Sequence, residues 1–153
     1  MSDQSADAVQ RQFQLQRVYL KDLSFEAPRS PEVFRQEWKP EVNLEVNSGA
    51  RMLEPGVFEV AMKVTVDVKN VEKTAFIVEV EQAGLFIVQG FEGLELDHLL
   101  KGVAPNILFP YVREAVTDLV TRGTFPQFLL QPINFEAAFI ENLRRQQAEQ
   151  PSH

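Results

Sequence analysis

The sequence predicts an α+β domain: a four-stranded antiparallel sheet with two main helices packed on one side. Two observations carry this reading. Between positions 13 and 88 apolar residues recur at every second position, and between 111 and 146 they recur at helical spacing. Strands come first and helices afterwards, the order of an α+β fold and not of alternating β-α units.

The first strand is expected over Phe13 to Phe25. Phe13, Leu15, Tyr19, Leu23 and Phe25 share one parity, while Val18 and Leu20 fall on the other, so partial cover on both faces is expected. A Pro-rich turn region (Pro28, Ser30, Pro31) follows. Val42, Leu44 and Val46 then alternate with Asn43, Glu45 and Asn47 as a second strand. The third strand is the cleanest run, with Phe58, Val60, Met62, Val64, Val66 and Val68 on one face. Glu59, Lys63, Thr65, Asp67 and Lys69 take the other, the pattern of a sheet with one wet face. After a turn at 70–73, a fourth strand over 74–88 points Phe76, Val78 and Val80 inward and Ile77, Glu79 and Glu81 outward.

In the second half, Asp97 to Lys101 predict a short turn before Gly102, and Pro105 or Pro110 suits the first turn of the next helix. Tyr111, Val112, Ala115, Val116, Leu119 and Val120 form that helix's apolar stripe. Asp118 and Arg122 make a modest i,i+4 pair, and Gly123 is the expected C′ residue. Asn134 is the expected N-cap of a final helix with the stripe Phe135, Ala138, Phe139, Leu143 and Gln146, and with Arg144 and Arg145 in its last turn. Residues 1–11 and 148–153 are polar and aperiodic and read as disordered tails, which leaves a single domain over 12–147.

The 153 residues suffice for one sizeable core. Fifteen Lys and Arg stand against 22 Asp and Glu, a net charge of −7 that repels phosphate backbones and favours basic protein partners over nucleic acid. The absence of cysteine removes disulfides, thiolate catalysis and thiolate metal sites. No apolar stretch reaches spanning length, so membrane insertion is not expected, and the acidic start Met1 to Asp7 is unlike a secretory signal. A cytoplasmic location is the resulting expectation. Twelve of the aromatic residues are Phe, against two Tyr and one Trp, which fits a Phe-rich core.

Catalytic groups are scarce. His98 has Asp97 beside it and Glu95 nearby, but neighbours in a helical turn point in different directions, and a structural or surface histidine is the simpler reading. Two isolated histidines without cysteine offer no metal cluster, and Gly90 to Gly93 lacks the Lys and Ser/Thr of a phosphate loop. No serine lies in a G-x-S-x-G turn. The expectation is a protein that is not an enzyme and uses no cofactor and no metal.

What remains is surface. The connector from Gly123 to Ile133 carries two prolines and is apolar without helical period. Phe125, Phe128, Leu129 and Leu130 either line an apolar groove or fold down to complete the core, and spacing alone does not choose. Ile77 shares the outward parity of two glutamates, where an apolar residue amid acids can anchor a basic segment.

At these residues a resemblance enters. The strings Pro105-Asn106-Ile107-Leu108-Phe109-Pro110-Tyr111-Val112-Arg113-Glu114 and Arg122-Gly123-Thr124-Phe125-Pro126-Gln127, followed by Pro132-Ile133-Asn134-Phe135, resemble the SecB family of bacterial protein-export chaperones. So do Tyr19-Leu20-Lys21-Asp22-Leu23-Ser24-Phe25-Glu26-Ala27-Pro28 and Thr74-Ala75-Phe76-Ile77-Val78-Glu79-Val80, in order, over roughly residues 13 to 147. The resemblance implies a homotetramer built as a dimer of dimers, with the helix from about Pro105 to Arg122 in tetramer packing. It implies a nucleotide-independent holdase that binds unfolded secretory precursor proteins in the cytoplasm and delivers them to SecA, the export motor. By the same likeness Asp22 and Glu26, with Ile77 and Glu79, form the docking patch for the basic, zinc-holding C-terminal tail of SecA, any zinc belonging to that partner. Phe125, Phe128 and Leu130 on the connector, Phe139 and Leu143 on the last helix, and Val42 and Leu44 on the second strand are the candidates for the client groove. Parity also allows Val42 and Leu44 to be sheet core beneath the last helix. The competing expectations are a binder of small apolar ligands, which needs an enclosed pocket, and a thioesterase-like enzyme, which needs an acid on the buried helical face.

Overall fold

The structure, a computed structural model, describes residues 10–149. Residues 1–9 and 150–153, most of the two expected tails, lie outside the described residues. Strands β1 (Gln12–Glu26), β2 (Pro40–Glu54), β3 (Val57–Asn70) and β4 (Lys73–Gln89) form one antiparallel sheet in the order β1-β4-β3-β2, so β1 and β2 are its edges. Between β1 and β2 a short 3-10 turn spans Glu32–Arg35. The helical half begins with α1 (Gly93–His98), which passes through a π-helical turn (Leu99–Val103) straight into α2 (Ala104–Arg122). A connector leads to α3 (Phe135–Glu149).

The broken parity of the first strand has a local cause. Register shifts at Gln16 and Lys21 each insert one extra residue into β1, which exchanges the faces of the residues beyond it. Phe13, Leu15, Val18, Leu20, Leu23 and Phe25 therefore pair with Val88, Phe86, Gly84, Gln82, Val80 and Val78 and all face the helices. Tyr19, grouped with the apolar parity in the sequence, pairs with Ala83 and faces outward.

Glu59 differs from the wet-face expectation. It is 6% exposed, although its strand neighbours Lys63 and Lys69 are solvated. Its carboxylate accepts hydrogen bonds from the Tyr19 hydroxyl (2.6 Å), Arg51 Nε (3.1 Å) and Lys21 Nζ (3.2 Å), which ties β1, β2 and β3 together across the outer face. A buried carboxylate needs such partners. The Tyr19 bond, then those of Arg51 and Lys21, hold the Glu59 carboxyl below its usual range against the opposing effect of burial. Burial and the Glu59 carboxylate push the Tyr19 hydroxyl up to about 12.

The core lies between the central strands and α2. Val60, Met62, Val64, Val66, Val78, Val80 and Phe86 are fully buried beneath Leu108, Val112, Val116 and Val120. Each such side chain stabilises the fold by about 1.5–3 kcal/mol, so the centre of the sheet carries stability and the edges are left free for contact. At one end the connector folds down. The Phe125 ring lies 4.7 Å from Phe76, 5.2 Å from Phe34 and 5.8 Å from Trp38.

Three helical expectations are corrected. The segment around Gly102 is mid-helix, not a turn: a Cβ there would press on the Glu136 backbone at 3.1 Å, so glycine permits the crossing of α3. Gly123 caps α2 with a helical φ of −74°, and the left-handed residue is Thr124 (φ 64°). Glycine is required at 123 because a Cβ would overlap the Phe25 ring. Arg144 and Arg145 precede the last turn, since α3 runs on to Glu149. Pro105 lies in the first turn of α2 and Pro110 inside it. The Asn134 side chain accepts from the Ala137 N–H at 3.1 Å, an N-cap at the expected place.

Phe125→Ala should cost about 3–5 kcal/mol in denaturant unfolding, whereas Leu129→Ala on the same connector should cost less than about 0.5 kcal/mol. Equal costs would refute the division of the connector into core and surface residues. A pH series probes the Tyr19–Glu59 pair. A hydroxyl raised in the folded state contributes stability fully present below its unfolded value of 10.0 and lost as pH climbs towards about 12. A depressed carboxyl contributes stability above its ordinary value of 4.5 that is lost as pH falls through its folded value. Tyr19→Phe should flatten the alkaline decline; parallel curves for wild type and variant would count against the pair.

Candidate functional site

The outer face of the sheet is built by cross-strand rows, because directly paired residues share a face. Glu26 pairs with Ile77 and Ile77 with Asp67; Ser24 pairs with Glu79, Glu79 with Thr65 and Thr65 with Glu45; Asp22 pairs with Glu81 and Glu81 with Lys63. Asp22, Glu26, Ile77 and Glu79 are thus brought together on one face, Asp22 and Glu26 exposed on the edge strand, Ile77 and Glu79 half-buried in the middle. Glu45, Asp67 and Glu81 join the same three rows, where the cations are Lys63 and, at the bulge, Lys21, whose ammonium is turned to Glu59. Outward parity was visible for Asp67 and Glu81 in the sequence, but their adjacency to Ile77 and Glu79 depends on register. One oxygen of Asp67 is buried without a hydrogen-bond partner among the described residues, which adds to the negative field beside Ile77.

The other face is open at its edge. Val42 and Leu44 pair with Val68 and Val66 and point to the helix side, yet they are 50% and 41% exposed. The expectation of core beneath the last helix fails here because α3 crosses farther along. It packs against the π-helical turn and faces the stretch Ser48 to Ala50 of β2 across a gap. An open cleft of about 840 Å³ lies there, lined by Ser48, Gly49, Ala50, Leu100, Phe135 and Phe139 among others. Phe139 is half-buried in its wall and Leu143 half-buried one turn on, while Ile140 is exposed.

The connector candidates separate. Phe125 (6% exposed) and Leu130 (4%) belong to the core, and Phe128 is half-buried with its ring edge-on to Phe76. Thr117 Oγ1 donates to the Phe128 carbonyl at 3.1 Å and pins the segment to α2. Leu129 is 56% exposed and is the apolar connector side chain that faces water. Sequence spacing carries no signal for this division, which depends on which rings find Phe76.

α3 is fixed only at its start. Glu136 lies 3.0 Å from His98 Nε2 and accepts from Asn106 Nδ2 at 3.3 Å, while the Phe135 N–H donates to Asn106 Oδ1 at 2.8 Å. His98 therefore has a partner 38 residues away in sequence that no local pattern reveals. No residue of α3 is buried, so its later turns are held by few contacts. Among the described residues no group of three or more His, Cys, Asp or Glu could hold a metal ion, and no helix is long and apolar enough to cross a membrane. The chemistry on offer is recognition: a carboxylate-rich face with a central apolar residue, and an open apolar edge beside a cleft.

Known proteins are similar to this chain in sequence and fold. The family model described as preprotein translocase subunit SecB matches residues 6–146. The protein-export protein SecB of Ectopseudomonas mendocina (strain ymp) is 51% identical over 143 residues, covering 94% of this chain and 89% of that protein. Its counterpart in Pseudomonas fluorescens (strain SBW25) is 50% identical over 153 residues, covering 97% and 96%. Among solved structures, a SecB-like chaperone of Mycobacterium tuberculosis in complex with a ChAD peptide from the HigA1 antitoxin shares the fold, with a TM-score of 0.67 at 22% identity over 79% of this chain and 90% of that one. With a family match that spans the sheet and both long helices, and relatives half identical along the same length, this chain belongs to the SecB family.

Proposed function

We propose that the protein is a nucleotide-independent holdase that binds unfolded secretory precursors in the cytoplasm and passes them to SecA. The observation that supports the reading is the contrast between the two faces of one sheet, one rich in carboxylates and the other apolar at its open edge. Unfolded chains offer apolar side chains and unpaired backbone, and Val42 and Leu44 present apolar surface along an open strand edge beside the cleft under α3. Phe128, Phe139 and Leu143 extend that surface; Phe125 and Leu130 support it from beneath. Shallow apolar contacts of this kind accept many sequences, because no buried polar group rejects a wrong one.

The opposite face serves delivery. Asp22, Glu26 and Glu79 around Ile77 suit a basic segment with an apolar anchor, the chemistry of the zinc-holding C-terminal tail of SecA, with carboxylates steering the encounter. Assembly as a dimer of dimers places helices between two sheets. Tyr111 on α2, exposed in the single chain, supplies apolar area for that packing.

The two faces are separable by experiment. Binding to a precursor presented unfolded and then folded, without nucleotide and with the mass of the complex recorded, should give tight binding of the unfolded form alone by a four-subunit particle. Glu79→Lys should abolish SecA binding and leave client holding intact. Val42→Asp with Leu44→Asp should weaken client holding about tenfold or more and leave SecA binding intact. A variant that moves both activities together, with the tetramer preserved, would refute the division.

A further inference from the structure

On the outer face two residues of β1 stand against one residue of β4. Leu20 pairs with Gln82 and Leu23 with Val80, so Lys21 and Asp22 share the single partner Glu81. Lys21 opposite Glu81 would make a favourable pair of opposite charges, whereas Asp22 opposite Glu81 sets two carboxylates side by side. The structure has the unfavourable choice: Asp22 pairs with Glu81, and Lys21 is the extra residue.

Glu59 accounts for it. The Lys21 ammonium donates to the Glu59 carboxylate at 3.2 Å, the carboxylate that Tyr19 and Arg51 also bind. Glu59 is nearly inaccessible to water, and a carboxylate in that position loses far more by going unpaired than Glu81, which is half-exposed and faces Lys63 on its other side. The ammonium therefore goes to the buried acid and not to the exposed one.

We infer that Glu59 is a positioning residue for the acidic face: by holding Lys21 it seats Asp22 outward opposite Glu81 and keeps the Lys21 ammonium off the Glu81 carboxylate. The inference rests on the docking role proposed for that face, and the partner it serves is a basic peptide segment. Without the Glu59 charge, Lys21 swings to Glu81, the extra residue becomes Asp22, and the field that draws a basic partner is weakened at its edge.

The test is a titration of the full-length protein with the basic C-terminal segment of SecA at low salt, read beside the cross-strand nuclear Overhauser contacts of β1 and β4. Glu59→Gln should weaken binding about three- to tenfold, leave client holding unchanged, and replace the Asp22–Glu81 contact by Lys21–Glu81. Adding Lys21→Met to Glu59→Gln should restore affinity to within about twofold of wild type, because the stray cation is gone. A purely structural Glu59 predicts the reverse, since the double variant strips the network further. A double variant as weak as the single one, or an Asp22–Glu81 contact retained in Glu59→Gln, overturns the inference. If Glu59→Gln does not fold, Tyr19→Phe with Glu59→Met removes the carboxylate without leaving a buried hydroxyl unpaired and takes its place. Should Glu79→Lys bind SecA as wild type does, the docking reading fails and the Overhauser contacts alone decide the role of Glu59.

Discussion

A sheet this wide cannot be covered by the helices the chain provides, and much of the molecule follows from that mismatch. Four strands about 4.8 Å apart make a sheet wider than one helix layer of about 10 Å, and α1, the π-helical turn and α2 form a single helical stretch that runs along its middle. This stretch seals the two central strands β3 and β4, where the fully buried valines lie. The inner faces of the two edge strands are left over. Leu20 and Leu23 on β1, and Val42, Leu44 and Met52 on β2, all point to the helix side by register and all remain exposed. In a self-contained monomer such residues would be a liability. On the function proposed above they are the surface offered to clients and to other subunits.

The outer face follows the opposite logic. It has no helix to bury it, so solvated side chains are expected, and six carboxylates in three adjacent rows meet Lys63 and the Lys21 held by Glu59. Such a concentration opposes folding by self-repulsion. The fold tolerates it because stability comes from the apolar side of the same strands, and because the cations of β1 and β2 nearest the patch are gathered onto Glu59. Burial on one face thus permits charge on the other.

What the sequence made legible tracks the range of the interactions involved. Period-two runs in β3 and β4 and the Asn134 cap are local, and their faces and position are visible before any fold is known. The fold class and element order follow from the same signal. The bulges at Gln16 and Lys21 are not legible that way: each looks like a parity error, and only the partner strand shows that the error restores Leu20, Leu23 and Phe25 to one face. The burial of Glu59 depends on Tyr19, 40 residues away, and the clamp on α3 depends on Glu136 meeting His98 across 38 residues. Phe125 and Leu129 are indistinguishable by hydrophobicity, and their opposite fates depend on an aromatic cluster drawn from β1, the 3-10 turn, β4 and the connector.

The distribution of order along α3 bears on how one surface can hold many chains. A rigid groove binds tightly only what matches its shape, whereas a wall that can move accepts varied side chains with less loss. α3 is pinned at its first turn by Asn106, His98 and the close crossing at Gly102, and beyond that turn none of its residues is buried. Local opening free energy is smallest where few apolar contacts are made, so the far end of α3 is the part of the cleft wall that adjusts most easily. The fixed first turn gives the rest of the helix a constant anchor. Folded proteins gain little from such a wall, since their apolar side chains are already sequestered. Binding that selects the unfolded state holds it there by mass action, and no nucleotide is needed to supply the preference.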